Sequence, residues 1–545
     1  MNFSKAAARA RARVRMTVRQ RRNTAADRSP IGKPGAQTPA EAVAAAAAAV
    51  ASPPRGAMSP AEIRQIFFGL MLVVFLAALN QTIIATALPT IGRTFHDFEN
   101  LSWVVTAYLL TSTAVAPLYG KLSDLFGRRT MILVAVGLFM AGSAAAAASP
   151  NMMMLIVGRG LQGIGGGGIL PVCQSVMADI VAPRERGRYQ AYMGVVWVTS
   201  SVVGPVFGGV MAEHLHWSII FWVNVPLALG AAALTHVKLA RIPRHDRRHK
   251  LDVLGAGLMM ASCIPILLAL TWGGTQFPWL SVPVLGLIGL SAVLTLLFAW
   301  RLNTAQEPFL PLAVLTNPVM RMGTTSASLA MGTSIGLTIV VPMYFEVAHH
   351  MSATESGIAL IPLAMTTPGS LLSGQAMLYW KHYKRAPMIG LVCALIALGF
   401  LIWRPDMGLA YAIVLMGIVG TSIGLVYPVT TVSIQNAVPN HQVGIAMGAL
   451  NFFRSLASAF IVAVMGAILL AVLGVTVSRG GGHGGSVIES VSTAGPGAAL
   501  VFRWVFLAAF GFLALSLFFL HFMEERPLRT TVQPADPPVA PPPKR

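Results

Sequence analysis

The sequence contains little charge and little cysteine. Only 11% of its 545 residues are Asp, Glu, Lys or Arg, against roughly 25% in an average soluble domain. Cys173, Cys263 and Cys393 each lie within an apolar run and lack the spacing of metal ligands, so we interpret them as small core residues. The composition excludes an ordinary soluble domain, and the cysteines indicate neither a disulfide framework nor a metal site.

Long apolar runs are abundant instead, and the mean hydropathy is +0.68. A helix needs roughly 20 apolar residues to cross about 30 Å of hydrocarbon. Fourteen such runs follow one another at near-regular intervals, which predicts an all-α membrane protein with fourteen transmembrane helices. The predicted spans are 66–91, 101–120, 131–149, 153–178, 189–212, 217–236, 251–273, 281–300, 322–345, 354–377, 386–403, 407–430, 444–472 and 500–521.

Positive charge is concentrated in alternate loops. The net charge is +20, and Lys and Arg near the ends of spans are retained on the cytoplasmic side of a membrane. With a cytoplasmic N-terminus, the outer loops hold only Arg93, Arg404 and Arg479 as basic residues, and the cytoplasmic loops hold many more. We therefore predict a multi-pass protein of the cytoplasmic (inner) membrane with both termini cytoplasmic. This topological role explains the charge without a nucleic-acid partner.

Two tails and a basic linker divide the chain. The N-terminal segment is basic and then alanine-rich, which predicts a disordered cytoplasmic tail; alternatively, translation starts at Met58. The basic stretch "ARIPRHDRRHKLD" separates six spans from two further spans, and a second set of six follows. The predicted organisation is a tail at 1–60, a six-helix bundle at 61–240, the linker with two additional helices at 241–305, a second six-helix bundle at 306–523 and a Pro-rich tail at 524–545.

The stretch "GRGLQGIGGGGILP" has the spacing of a dinucleotide-binding loop, but it lies inside an apolar run. Such a loop needs a preceding strand and a helix N-terminus open to water, so we interpret the glycines as a helix-packing or hinge surface. Arg159 and Gln162 lie one turn apart here. An intramembrane Arg costs about 2.5 kcal/mol or more and almost always faces a partner or a cavity. Arg159 is therefore either a structural clamp on backbone carbonyls or a residue of coupling and substrate passage.

The stretch "GKLSDLFGRRT" has an order of residues that a merely basic loop does not need. Gly120 is expected to end the second span. Asp124 precedes Arg128 by four residues and can pair with it in a helical turn. Gly127 permits a tight turn beside Arg128 and Arg129. We predict that this stretch is a conformational latch.

In the fifth span, "GPVFGG" places two glycines four residues apart around a proline. This pattern predicts a close-packed helix face combined with a kink, and a simple helix bend is the alternative. The candidate gating residues of this stretch are Gly204, Pro205, Gly208 and Gly209.

Together these motifs resemble the major facilitator superfamily, in particular its fourteen-span EmrB/QacA-type drug:proton antiporters. The resemblance covers roughly residues 65–521 and also includes "LNQTIIATALPTI", "DIVAPRERGRYQAYMG" and "FWVNVP". It implies two six-helix bundles around a central cavity, with two additional helices. It further implies efflux of lipophilic drugs or amphiphilic metabolites by alternating access, driven by protons.

One departure from the family pattern bears on proton coupling. The first-span motif of the family carries an acid where this chain has Asn80, and Asn does not titrate. No acid lies near mid-membrane, so the candidate proton carriers are Asp179, at the cytoplasmic end of the fourth span, and Glu346, at the outer end of the ninth. Glu346 is alternatively a solvated loop residue, and the chain is alternatively a carrier that is not coupled to protons.

The expected cavity combines polar and aromatic side chains. Arg159 and Arg454 favour neutral or weakly anionic amphiphiles over quaternary cations. We expect a small lipophilic substrate, protons and the lipid bilayer as partners, and no cofactor, metal or enzymatic activity. A periplasmic adaptor is left open, and a non-transporting membrane sensor or scaffold is the alternative from another class. The candidate cavity residues are Asn80, Gln81, Trp103, Tyr108, Arg159 and Gln162.

Overall fold

The computed structural model describes residues 60–239, 251–274, 276–364, 366–406, 408–480 and 498–529. Regular structure in these residues is helical apart from one isolated bridge, because a backbone in hydrocarbon must satisfy its own hydrogen bonds. The helices of the fourteen spans are α1 Pro60–Phe95, α2 Leu101–Phe126, α3 Arg128–Ala147, α4 Met152–Ile180, α5 Pro183–His214, α6 in two segments (Ile219–Trp222 and Asn224–Lys238), α7 Val253–Trp272, α8 Val282–Thr304, α9 Pro318–His349, α10 in three segments (Ala353–Ala359, Ile361–Ala364 and Thr366–Tyr379), α11 Arg385–Trp403, α12 Leu409–Ala437, α13 Val443–Gly480 and α14 Ala498–Phe522; short helices at Leu312–Thr316 and Asn440–Gln442 precede α9 and α13.

In the described part of the chain, 14 helical stretches are long and apolar enough to cross a membrane, so the predicted number of spans is confirmed. The expected end of the second span was wrong. Gly120 lies inside α2, which continues to Phe126, and α3 begins at Arg128. Only Gly127 separates the two helices, with a φ of 87° that side-chain-bearing residues rarely adopt. The motif is therefore helical on both sides of a one-residue break.

The helices form two groups and a separate pair. In the first bundle, α4 packs on α2 and α3, and α1 packs on α5 and α6. In the second bundle, α9 packs on α12, α13 and α14, and α11 packs on α12 and α14. Across the bundles, α2 packs on α13 and α5 packs on α10. The residue bounds that the sequence suggested for the domains remain a prediction.

The pair formed by α7 and α8 contacts the bundles through α7, which packs on α2 and α13. Asp252 caps the start of α7 by accepting from the Gly255 N–H at 3.0 Å, and it pairs with Arg301 of α8 at 3.0 Å. Burial alone would raise the pKa of the Asp252 carboxyl, but these hydrogen bonds outweigh it and hold the pKa below its ordinary value. The ion pair therefore fastens the ends of the two additional helices together.

We call the end of the bundles that contains Gly127 the latch face. Beyond α14, residues 524–529 follow this face: the Tyr383 hydroxyl donates to the Arg526 carbonyl at 3.0 Å, and the Lys384 N–H donates to Glu525 at 3.0 Å. The chain then reaches the first bundle, where the Arg184 N–H donates to the carbonyl of Arg529 at 3.3 Å. The remainder of this predicted tail, the tail at 1–59 and residues 240–250 of the linker lie outside the described residues.

The three cysteines differ in exposure. Cys173 and Cys263 are buried, as predicted for small core residues. The interpretation was wrong for Cys393, which is exposed on α11. A membrane helix presents part of its surface outward, and an apolar sequence does not tell that part from the packed one.

Candidate functional site

A cluster of polar side chains is buried within the first bundle. The Arg159 guanidinium on α4 donates from Nε to the Val104 carbonyl at 2.9 Å and from Nη1 to Asn80 Oδ1 at 3.3 Å. Gln162, one turn along α4, accepts from Arg159 and donates to Asn80 Oδ1 at 3.0 Å and to Ser143 Oγ. These bonds tie α1, α2, α3 and α4 together through polar groups in an otherwise apolar core.

The N–H donors of the Arg159 guanidinium bond to neutral acceptors. Its side chain is 1% exposed, and its hydrogen-bond acceptors are one carbonyl and two amide oxygens. The rings of Tyr108 and Phe221 lie 4.5 and 5.9 Å from its Cζ atom, close enough to stabilise the charge. This geometry favours the structural interpretation of Arg159 over direct contact with substrate.

Asn80 is fully buried, and its two terminal atoms are used unequally. Oδ1 accepts from Arg159 and Gln162 and also from Asn224 of α6 at 3.3 Å, but Nδ2 has no hydrogen-bond partner within the described structure. Turning the amide over would place its N–H groups against these three donors. The surroundings of Asn80 are therefore those of an acceptor, which a carboxylate would satisfy with both oxygens.

The latch motif joins the two bundles through one carboxylate. Asp124 and Arg128 form an ion pair around the Gly127 break. The Asp124 carboxylate also accepts from the N–H groups of Gly444, at 3.0 Å, and Ile445, at 2.8 Å. These groups begin α13 of the second bundle, where the unpaired N–H groups of a helix N-terminus attract an anion. The predicted pairing within the motif is thus present, and its partner across the bundles is the end of a helix.

Glycines allow the backbones of the two bundles to touch at the latch face. A Cβ atom on Gly120 would lie 2.4 Å from the Gly444 carbonyl oxygen. A Cβ atom on Gly374 of α10 would lie 3.0 Å from the backbone of Gly187 in α5. Real Cβ contacts are rarely this short, so the bundles meet where larger residues would hold them apart.

The glycines of α4 and α5 pack within the first bundle. A Cβ on Gly165 of α4 would collide with the Phe139 backbone, so the packing interpretation of that stretch holds there. A Cβ on Gly204 or Gly208 would collide with α1, on which α5 packs, and Pro205 lies between them inside the unbroken helix. Gly209 faces open space and takes no part in this contact.

The sequence provides a further test of what these bundles are. Residues 70–462 match the family model described as the Major Facilitator Superfamily. The chain belongs to the Major Facilitator Superfamily. It is therefore a multi-pass membrane transporter of small substrates and not an enzyme.

Relatives of this transporter include proteins named as an efflux pump and as a multidrug transporter. The "MFS-type efflux pump LUC4" of Fusarium sp is 33% identical over 76% of this chain and 75% of its own length. The "Multidrug transporter protein MdtP" of Bacillus subtilis is 32% identical over 74% of both chains. An uncharacterised MFS-type transporter of Mycobacterium tuberculosis, Rv1877, is 33% identical over 76% of this chain and 60% of its own length.

Solved transporters share the fold. The human organic anion transporter MFSD10 superimposes with a TM-score of 0.57 at 15% identity, covering 84% of this chain and 100% of its own. The proton:xylose symporter XylE does so with a TM-score of 0.54 at 14% identity, covering 84% of this chain and 96% of its own. At such identities the likeness shows the major facilitator fold alone.

The structure brings only part of the predicted cavity set together. Asn80, Tyr108, Arg159 and Gln162 form the buried cluster of this transporter. Trp103 is half-buried and packs edge-on against Trp272 of α7, with ring centroids 5.8 Å apart. The side chain of Gln81 is exposed on a different face of α1 from Asn80, but it forms a hydrogen bond with Tyr108 of the cluster.

The two candidate proton carriers lie at opposite ends of the transporter. Asp179 pairs with Arg128 at 3.1 Å and is part of the latch. Glu346 is half-buried near the end of α9 and accepts from Ser356 Oγ at 3.0 Å, so it is not a freely solvated loop residue. The described hydrogen bond of Arg129 is to His236 at 2.9 Å and lies within the first bundle, whereas the predicted gating role calls for a contact between the bundles.

The sequence did not predict a second polar contact between the two bundles. Asn451 of α13 donates to Gln174 Oε1 of α4 at 2.7 Å, and Gln435 of α12 donates to the Gln174 carbonyl at 3.1 Å. The signal available was an amide side chain inside each apolar span. Such residues in membrane helices usually bond to neighbouring helices, but their spacing does not say which.

Proposed function

We propose that this transporter exports lipophilic, amphiphilic small molecules from the cytoplasm in exchange for protons, as an EmrB/QacA-type antiporter. The efflux pumps and the multidrug transporter among its relatives support the direction and the substrate class. The cytoplasmic membrane is its location. The latch face is the cytoplasmic face, because basic residues such as Arg128, Arg129 and Lys384 gather there.

The observation that carries the mechanism is the bond between Asp124 and the start of α13. It closes one end of the transporter through contacts that break as a unit when the bundles separate. Alternating access needs such a reversible contact at each end of a central site. Opening at the latch face would admit substrate from the cytoplasm, and closing it would commit substrate to release on the other side.

Proton coupling on this view uses a carboxylate outside the Asn80 cluster. Glu346 is the favoured carrier, since it is half-buried and its described side-chain bond is from one hydroxyl. Asp179 is held against a cation, so its protonation would act by loosening the latch. A facilitator without proton coupling is the second candidate function, and the neutral partners of Arg159 in the first bundle favour it.

The test uses purified transporter in proteoliposomes with a pH-sensitive dye inside and an imposed pH gradient. A neutral lipophilic dye and a lipophilic cationic dye are added one at a time. We expect each exported dye to evoke a proton flux in the opposite direction. Glu346→Gln should abolish that flux while substrate still binds, because the amide does not titrate.

Glu355→Gln is the matched control, since Glu355 lies nearby at the start of α10 and is solvent-exposed. It should leave the flux unchanged. Substrate movement without any proton flux in the wild type would establish the facilitator instead. Binding without movement of any dye would refute transport of these compounds altogether.

A further inference from the structure

Among the side chains that the structure describes, two arginines are buried in the spans away from the latch face, and their hydrogen-bonding groups are satisfied to different degrees. Arg159 donates to three oxygens and lies against two aromatic rings. Arg454 of α13 is 8% exposed and donates from Nη2 to Thr431 Oγ1 at 3.0 Å. Its Nε atom is buried without a hydrogen-bond partner in the described part of the chain. A buried charged donor without an acceptor is unfavourable, so Arg454 lacks a partner that Arg159 has.

The surroundings of Arg454 are aromatic and neutral. The ring of Tyr427 lies 5.4 Å from its Cζ atom, and the Tyr427 hydroxyl donates to Met331 Sδ at 2.7 Å. The described hydrogen-bond and ring contacts of Arg454 thus come from neutral groups. The Nε–H of a guanidinium and the neighbouring Nη N–H point the same way and match the two oxygens of a carboxylate. The missing partner therefore has the chemistry of an anionic oxygen pair.

Arg454 also stands next to a contact between the bundles. Asn451 lies three residues earlier on the same face of α13 and donates to Gln174 of α4 at 2.7 Å. A ligand held at Arg454 would consequently lie within one helical turn of a bond that must break when the bundles separate.

We propose that Arg454 is the substrate-recognising arginine and that it binds the carboxylate of an amphiphilic substrate through Nε and Nη2. Tyr427 covers the guanidinium face, and the apolar part of the substrate lies between the bundles. Arg159 holds the first bundle together and does not touch substrate. This inference rests on the proposed function as an exporter of amphiphiles.

The test compares two probes that differ in one charge: a dansylated medium-chain fatty acid and its methyl ester. Binding of each is measured by fluorescence titration on the full-length transporter in lipid nanodiscs. We expect the wild type to bind the acid at least about tenfold more tightly than the ester, as expected for a charge-assisted bidentate pair. Arg454→Gln should bring the two affinities together, and Arg454→Lys should restore part of the difference.

Arg159→Gln is the matched control, because it removes the same charge from the other buried site. Where a thermal-unfolding measurement shows that Arg159→Gln is folded, this variant should still bind the acid more tightly than the ester. If Arg454→Gln does not fold, Thr431→Val tests the same site by freeing the bonded Nη2 edge, and the preference for the acid should change. Equal wild-type affinities for acid and ester, or an unchanged preference in Arg454→Gln, would overturn the proposal.

A transport assay on the same protein distinguishes a failure of this inference from a failure of the proposed function. If neutral dyes are exported but the acid is not preferred, the Arg454 site fails and the exporter stands. If the acid binds in an Arg454-dependent way but nothing is moved, the exporter fails and the site stands.

Discussion

Gly120→Ala is the substitution whose effect the structure predicts most directly. The new Cβ would lie 2.4 Å from the Gly444 carbonyl oxygen and 3.1 Å from the Ile445 Cα atom. Ordinary contact begins at 3.4 Å, so α2 and α13 must separate by roughly 1 Å, the difference between 3.4 and 2.4 Å. The obstructing atoms belong to backbone, and the Asp124 carboxylate holds them in place.

The clash exists only while the latch is closed, because Gly120 and Gly444 belong to different bundles. Overpacking of this kind costs about 1–3 kcal/mol. A difference of that size between two conformations changes their ratio by roughly 5- to 150-fold. Gly120→Ala should therefore shift the population towards the state that is open at the latch face.

Pulsed electron paramagnetic resonance can measure this shift. Spin labels at Phe126→Cys and Tyr379→Cys lie on the first and second bundle at the latch face, and both native side chains are exposed. Cys393 is exposed and is replaced by Ala, whereas the buried Cys173 and Cys263 should not react. We expect the long-distance population to grow in Gly120→Ala.

Gly137→Ala is the control, since no atom lies within 4 Å of the position of its Cβ. Its distance distribution should equal that of the parent protein. A folded Gly120→Ala protein with the parent's distribution would refute the steric argument, because it would show that the backbones yield without separating the bundles.

Three further outcomes are expected. Asp124→Asn removes the charge that binds the start of α13, so the same spin-label pair should show a larger long-distance population, equivalent to a shift of about 1–3 kcal/mol. Asp124→Glu should not restore the closed state, because the positions of the backbone donors are fixed. Asn80→Asp supplies a second acceptor oxygen beside Arg159, so the protein should remain folded and unfold at a higher temperature in nanodiscs at neutral pH. A lower unfolding temperature would contradict the inference that the surroundings of Asn80 favour an acceptor. Glu525→Ala removes the acceptor of the Lys384 N–H, so limited trypsin digestion should cleave faster after Arg529, and equal cleavage rates would show that this bond does not hold the segment.

The relation between sequence and site differs from residue to residue. The pairing of Asp124 with Arg128 was predictable, because a separation of four residues fixes the geometry in a helix. The contact of Asp124 with Gly444 joins residues 320 positions apart, and no local sequence pattern predicts it. Arg159 and Arg454 look alike in the sequence, since each is a lone arginine in an apolar run. Only their neighbours show that one is satisfied and the other is not.

The sequence by itself determined the number of spans, the helical character of each and the major facilitator class. Apolar run length and the need of a lipid-exposed backbone to bond internally leave little choice at that level. Tertiary structure decided which polar groups share a cluster, where Gly120 lies in its helix, and which carboxylates are held by cations. Helix periodicity specifies the face of a residue, but the identity of its neighbour depends on how separate helices pack, and that is set by contacts summed over the whole bundle.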